Sequence, residues 1–242
     1  MFQPKIKRYQ KEFTYSYAFG AYPVIELLKS HPESVLKVLF KEDSFKDGNI
    51  PAIQKECEKR NIHTQINNKL IDKISVKENT YVVGVFKKYA SKIKEDENHI
   101  VLVNPSNTGN LGTILRTMLG FDFKNLAIIK PAVDMFDPLV VRASMGAVFS
   151  INFEYFNNIE EYVSKFSAHH LYPFMLNGKS SVENVKFVKP YSIIHGNESK
   201  GLDEKYLELG ESVYIPHSKD IDSLNLSIAA GISMWEAVKK EM

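Results

Sequence analysis

The sequence predicts an α/β chain in two parts: a small N-terminal α/β domain, then a larger one built on a mostly parallel sheet. Three observations lead there. Apolar strand-like runs recur along the second part with helical stretches between most of them, the pattern of a parallel sheet covered on both faces. Ala90-Ser91-Lys92-Ile93-Lys94-Glu95-Asp96-Glu97-Asn98 is polar and charged, and breaks the apolar pattern as a linker would. Finally, 242 residues that are 44% apolar can bury one large core or two modest ones.

In the first part, Gly20-Ala21-Tyr22-Pro23 followed by Val24, Ile25, Leu27 and Leu28 reads as a helix with proline in its first turn. Val35 to Phe40 reads as a buried strand, Ile50 to Arg60 as a helix and Ile62 to Ile66 as a short strand. Leu70 to Ile74 reads as a helical turn and Tyr81 to Phe86 as a strand. The domain is set at 1–92, its first 15 residues a basic extension, and the linker at 93–98. In the second domain, 99–242, strands are expected at Ile100–Val103, Leu126–Ile129, Leu171–Leu176, Ser192–Ile194 and Ser212–Ile215. Ligands of such sheets sit beyond the carboxyl ends of the strands, and three segments of unusual chemistry fall there.

Composition bounds the function from another side. With 25% charged and 12% aromatic residues the chain is neither disordered nor collagen-like. The net charge of +2 is unevenly placed: residues 1–98 hold 18 Lys and Arg against 13 Asp and Glu, leaving 13 against 16 for 99–242. Lys5, Lys7, Arg8 and Lys11 open the chain, which fits either a first domain that meets a polyanion or a solvated lysine-rich face. The single cysteine, Cys57, reads as a packing residue; it allows no internal disulfide or cysteine-built zinc site and points to a reducing compartment. No apolar run approaches the ~20 residues of a membrane helix, and Met1-Phe2-Gln3-Pro4-Lys5 lacks the apolar core of a signal peptide. A cytoplasmic location without membrane contact is therefore expected. His169, His170 and His217 lack clustered carboxylate or cysteine partners, so surface positions are expected for them and no metal is implied.

The first of the three segments runs from Asn104 to Thr117. Leu111, Ile114, Leu115, Met118 and Leu119 form the buried stripe of a helix, and Arg116 lies off that stripe, on a face with Gly112 and Gly120. The loop has the character of a glycine-containing anion site at a helix N-terminus, with neither the dinucleotide nor the P-loop spacing. By itself Arg116 would equally suit a surface arginine. The second segment, His195-Gly196-Asn197-Glu198-Ser199-Lys200-Gly201-Leu202, follows an apolar strand; its two glycines permit a sharp turn and exposed peptide groups that could meet a base edge, or else a simple left-handed turn. The third, Ile215 to Gly231, is a polar loop in which one residue of Ser223-Leu224-Asn225 is expected to cap the final helix. Gly231 inside that helix costs about 1 kcal/mol relative to alanine, which a close helix contact would offset.

In this order and spacing the three segments resemble the signature motifs of the SpoU (TrmH-type) class of SPOUT RNA methyltransferases. Asp137 to Ala147, with Arg142, Ser144 and Gly146, resembles a further segment of that family. Gly20 to Phe86 resembles the L30e-like substrate-binding domain that many members carry, although Asn79-Thr80-Tyr81-Val82-Val83 stands where many relatives have His-Gln-Gly. The resemblance implies a trefoil-knotted C-terminal domain, S-adenosyl-L-methionine as methyl donor, and a homodimer whose active site is completed across the interface. It places Gly196, Asn197, Ile215 and Leu224 at the cofactor, and the small stretch Ala229-Ala230-Gly231 at a close helix contact. Arg116 falls at the ribose hydroxyl and its phosphate, with Asn107, Glu198, Ser223 and Asn225 fixing substrate and arginine. Lys5, Lys7, Arg8, Lys11 and Arg142 are the expected RNA contacts.

A ribose hydroxyl is a weak acid, so methyl transfer requires loss of its proton and an in-line oxygen. Arginine is fully protonated in ordinary surroundings. The role expected of Arg116 is therefore to orient ribose and phosphate and stabilise the developing alkoxide, with the proton acceptor left open. The separate basic domain favours rRNA over tRNA as substrate. A catalytically silent RNA-binding protein of the same fold is the alternative, against which the intact polar set speaks. A nicotinamide or nucleotide-phosphate enzyme is disfavoured by the missing glycine fingerprint.

Overall fold

A computed structural model describes residues 6–46, 48–76 and 79–239. In chain order its main elements are β1 (Tyr15–Phe19), α1 (Ala21–Ser30), β2 (Val35–Phe40), α2 (Asn49–Lys59), β3 (Thr64–Ile66), α3 (Asn68–Ile74), β4 (Val82–Lys87), β5 (His99–Val103), α4 (Thr108–Gly120), β6 (Asn125–Ile129), α5 (Pro138–Ala143), β7 (Asn152–Phe156), α6 (Ile159–Lys165), β8 (His170–Pro173), β9 (Ser180–Ser181), β10 (Tyr191–His195), β11 (Val213–Tyr214) and α7 (Leu226–Lys239). They form two compact units: the chain up to Tyr89 together with Asp134–Ser150, and Ala90–Val133 together with the chain from Ile151.

The first unit is a four-stranded sheet in the order β1-β4-β2-β3, parallel only between β2 and β3. The side chains of β1 alternate across the sheet. Tyr15, Tyr17 and Phe19 join Leu39, Val83, Val85, Ile71 and Ile74 in one core cluster. Between them, Ser16 Oγ donates to the Phe136 carbonyl. Phe136 and Phe149 meet Phe86 edge-on, at centroid distances of 5.5 and 5.2 Å. Residues 134–150 are thus part of this unit's interior, with Val140, Val141 and Val148 fully buried.

The basic extension is docked on the same unit from Ile6 onward. Tyr9 Oη donates to Asp134 at 2.6 Å, Lys88 Nζ reaches the same carboxylate at 2.6 Å, and the Lys7 carbonyl accepts from Tyr17 Oη. Lys7, Arg8 and Lys11 are exposed on this segment, Arg142 in α5 is half-buried, and Lys5 lies outside the described residues.

The second unit is a five-stranded, wholly parallel sheet in the order β7-β6-β5-β10-β8. Every residue of β5, β6 and β10 is buried, as continuous apolar runs in a sheet covered on both faces require. The chain builds outward from β5 to β7, restarts at the far edge with β8, and returns through β10 to lie beside β5. Strand order therefore reverses between β5 and β10, and the crevice beyond their carboxyl ends is the topological switch point where ligands of open α/β sheets bind.

Several expectations are corrected. The strand expected at Leu171–Leu176 ends at Pro173, because the chain changes partner there: Phe174 N still donates to Ile194 O at 2.8 Å, but Met175 N donates to Val213 O at 2.8 Å. β1 and β7 are strands that the apolar pattern does not predict. His169 is buried rather than on the surface, its ring bonded to Ser192 Oγ at 2.8 Å and to the Glu95 carbonyl at 2.9 Å. Gly231 faces α4, but not closely enough to require glycine: among the described residues a Cβ there would lie 3.8 Å from Thr117 Cγ2, an ordinary van der Waals distance. Among the described residues, no helix is long and apolar enough to cross a membrane, and no group of three or more His, Cys, Asp or Glu could hold a metal ion.

Candidate functional site

Two loops meet at the switch point, one leaving β5 and one leaving β10. The first begins with Asn104 at φ 52°, in the left-handed region that asparagine tolerates better than most side chains. That turn sends Pro105, Ser106 and Asn107 across the strand ends into α4, which Asn107 caps by accepting from Asn110 N at 2.9 Å. The second loop leaves β10 through Gly196, where a Cβ would sit 2.2 Å from the Gly201 carbonyl carbon. Only glycine lets the two limbs of this turn touch. Asn197 N and Gly201 N each donate to the other residue's carbonyl, and Asn197 Oδ1 accepts from Ser199 N at 2.9 Å and Lys200 N at 3.3 Å.

Glu198 fastens one loop to the other. Its Oε2 accepts from Ser106 N at 3.1 Å and Ser106 Oγ at 2.7 Å, and its Oε1 accepts from Asn107 N at 3.0 Å and Asn110 Nδ2 at 3.5 Å. Asn197 Nδ2 adds a bond to the Asn104 carbonyl at 2.7 Å. Burial alone would push the Glu198 carboxyl up; the bonds from Ser106 and from backbone N–H groups outweigh that and hold it below the ordinary glutamate value. It is therefore an ionised clamp whose acceptor sites are engaged, poorly suited to removing a proton.

Beyond β10 the second loop forms one wall of a cavity of about 280 Å³. Gly196, Asn197, Ile215 and Leu224 all line it, as do Glu198 and Ser223. Phe174, Leu226 and Ala229 add apolar surface. Apolar walls, the peptide groups of two loops and a glycine that admits close backbone approach suit a small, largely apolar ligand with a few polar groups. His195 at the cavity floor is buried and bonded to Ser233 Oγ at 2.8 Å; burial pushes it down to about 3 and keeps it neutral.

The other expected site residues lie outside this cavity. Asn225 caps α7, its Oδ1 accepting from Ser227 N at 2.9 Å, and its Nδ2 reaches Asn110 Oδ1 at 3.2 Å, tying the third loop to the first. Arg116 is exposed on α4, nine residues beyond Asn107 and so about 13 Å along the axis at 1.5 Å per residue. Among the described residues it has no hydrogen-bond or ion-pair partner, Glu198 and Ser223 included. Asn104, Ser106 and Asn110 join the clamp although sequence reasoning did not single them out. Their only signal is an Asn-Pro-Ser-Asn run leaving a strand.

Both parts of the chain are similar to known proteins. Residues 97–235 match the SpoU rRNA Methylase family, and residues 17–91 match the domain described as RNA 2'-O ribose methyltransferase substrate binding. An uncharacterized tRNA/rRNA methyltransferase of Synechocystis is 29% identical over 59% of the chain, the match spanning about half (53%) of that relative. A protein of Listeria innocua, provisionally named a tRNA (cytidine(34)-2'-O)-methyltransferase, is 29% identical over 60% of the chain and 88% of its own length. The crystal structure of an AdoMet-bound rRNA methyltransferase from Sinorhizobium meliloti superposes with a TM-score of 0.79 at 27% identity, covering 95% of this chain and 88% of that one. A family match over more than half the chain, on a parallel sheet with its loops clamped at the switch point, decides the assignment: the chain belongs to the SpoU rRNA methylase family.

Proposed function

We propose that the protein is an S-adenosylmethionine-dependent methyltransferase acting on a ribose 2′-hydroxyl of structured RNA, as a cytoplasmic homodimer. The observation that carries this reading is the cavity beside Glu198, which has the lining and loop support that a methyl-donating nucleoside needs. Bound there, S-adenosylmethionine would supply an electrophilic methyl group. Gly196, Ile215 and Leu224 would hold its adenosine, and the Glu198 clamp would keep the first loop and the start of α4 in fixed register with that site. Arg116, a permanent cation with a planar fork of donors, would hold ribose and phosphate together and stabilise negative charge growing on the 2′-oxygen. Its place outside the clamp supports a site completed by a second copy. On α7, Ile228 and Trp235, seven residues apart, leave 54% and 44% of their surface exposed on one face, the kind of apolar surface a partner covers.

rRNA is the favoured substrate. The rRNA methyltransferase of S. meliloti parallels both units of this chain, whereas the tRNA-named Listeria relative aligns with 60% of it. The basic first part is what a large RNA would engage.

Single-turnover transfer of labelled methyl to total RNA tests the reading. Arg116→Ala should lower transfer on the order of 100-fold or more, as loss of one charge-stabilising donor does. Melting should shift by no more than about 0.5 kcal/mol because the side chain is exposed and unpartnered. Arg116→Lys should not restore transfer. Near-normal transfer by the alanine variant would leave Arg116 a surface charge, and sedimentation of the wild type as a monomer would end the dimer.

A further inference from the structure

The cavity beside Glu198 contains two ionic side chains of opposite fate. Glu198 turns both oxygens to the first loop and spends its charge there. Lys200, two residues on, also lines the cavity and is the only lysine or arginine among the described residues that do so. Its ammonium has no carboxylate or carbonyl partner among the described residues, although ion pairs are frequent elsewhere on this surface. Its main chain is nonetheless fixed: Lys200 N donates to Asn197 Oδ1 at 3.3 Å, and the Asn197–Gly201 pair closes the turn from both sides at 3.2 and 2.9 Å. A rigid turn thus anchors a free cation on a flexible four-carbon arm at the rim of a nucleoside-sized cavity. Of the two histidines there, His195 is buried and bonded to Ser233 Oγ, and His217 uses Nδ1 on the Ile215 carbonyl at 2.8 Å. That ring is occupied in holding its own loop.

We propose that Lys200 is a cofactor-positioning residue that pairs with the carboxylate of the amino-acid tail of the methyl donor, and so selects a nucleoside bearing that tail. The inference rests on the cofactor reading above. Glycine at 196 and the apolar lining account for the nucleoside end, and neither supplies a countercharge to a carboxylate. Lys200 does, and its arm can follow the tail without moving the turn.

Calorimetric titration of the full chain with two ligands of identical adenosine and thioether separates the possibilities. S-adenosylhomocysteine carries the amino-acid tail; 5′-methylthioadenosine ends in a methyl group. Wild type should bind the former more tightly, with a preference that shrinks as salt is raised. Lys200→Met should weaken S-adenosylhomocysteine roughly three- to tenfold, the range of a partly exposed charge-assisted pair, and leave 5′-methylthioadenosine unchanged. Lys200→Arg should retain the preference. An equal loss on both ligands would mean that the substitution had distorted the turn, and no loss on either, with weaker RNA binding, would make Lys200 an RNA contact; each overturns the proposal. Wild type that binds neither ligand would bring down the cofactor reading itself.

Discussion

Four polar side chains buried at the amino ends of β5 and β10 form a hydrogen-bonded chain that is one hydrogen short. His99 Nε2 lies 2.7 Å from the Lys94 carbonyl and His169 Nε2 2.9 Å from the Glu95 carbonyl. A carbonyl only accepts, so a neutral ring that gives its Nε2 proton to that carbonyl presents a bare Nδ1. Between those two nitrogens run three contacts: His99 Nδ1 to Tyr162 Oη at 2.8 Å, Tyr162 Oη to Ser192 Oγ at 2.7 Å, and Ser192 Oγ to His169 Nδ1 at 2.8 Å. Two hydroxyls supply two hydrogens for them. One added proton would complete the chain, while burial opposes the charge, pushing His99 down to about 4 and His169 below its ordinary value; backbone bonds, with Lys94 for His99 and with Glu95 and Tyr191 for His169, offset part of that. Since the folded-state values lie below the unfolded value near 6.5, the stability that these rings contribute is present above about pH 6.5 and is lost as pH falls toward 4. The melting temperature is expected to fall through that window, each proton taken up costing at most about 1.4 kcal/mol per pH unit. Nitrogen-15 spectra of the imidazoles should show one of the two rings charging first, because the rings lie 4.3 Å apart and a second charge would repel the first. A flat melting profile between pH 7 and 4.5, or both rings titrating together, would refute the count.

At the scale of elements, two glycines that look alike in sequence have opposite constraints. Gly196 admits no Cβ because the Gly201 backbone would lie 2.2 Å away, whereas Gly231 in α7 would place one 3.8 Å from Thr117. Gly196→Ala is therefore expected to spread the turn and abolish cofactor binding, while Gly231→Ala should stabilise the fold by up to about 1 kcal/mol, the helix preference for alanine. Calorimetry and thermal melting read both, and a destabilised Gly231→Ala would place a neighbour against α7 that a single chain does not show. The same contrast marks what could be read beforehand. β5, β6 and β10 announce themselves as unbroken apolar runs because both faces are covered. β1 hides its pattern in Tyr-Ser-Tyr-Ala-Phe, where small residues alternate with aromatics, and β7 is an edge strand carrying Asn152 and Glu154. The loops of the site were legible from their glycines and polar residues. The clamp was not, since Glu198 finds Ser106 and Asn107, 92 and 91 residues away, only after β5 and β10 are laid side by side, and a side chain's partners cannot be read from its own neighbours in sequence.

For the molecule as a whole, the decisive feature is that the first unit borrows residues 134–150 from within the second half of the chain. Removing residues 1–92 would leave Phe136, Val140, Val141, Val148 and Phe149 without the core that buries them, so that truncation would report on aggregation instead of RNA binding. Charge can be removed without that damage. The extension docks through the Tyr9 side chain on Asp134 and through main-chain carbonyls, that of Lys7 accepting from Tyr17 Oη and that of Lys11 from Lys88 Nζ, while the side chains of Lys7, Arg8 and Lys11 are exposed. Replacing these three by alanine together should therefore leave the melting temperature and S-adenosylhomocysteine affinity close to wild type. RNA affinity should fall. If the three cations meet phosphates, the slope of log affinity against log salt should become shallower by about 2, since each phosphate contact with single-stranded RNA contributes roughly 0.7. Filter binding or fluorescence anisotropy across a salt series measures that slope, and an unchanged slope with the triple variant would show that the N-terminal charge is a solvated face and that RNA is gripped elsewhere on the unit.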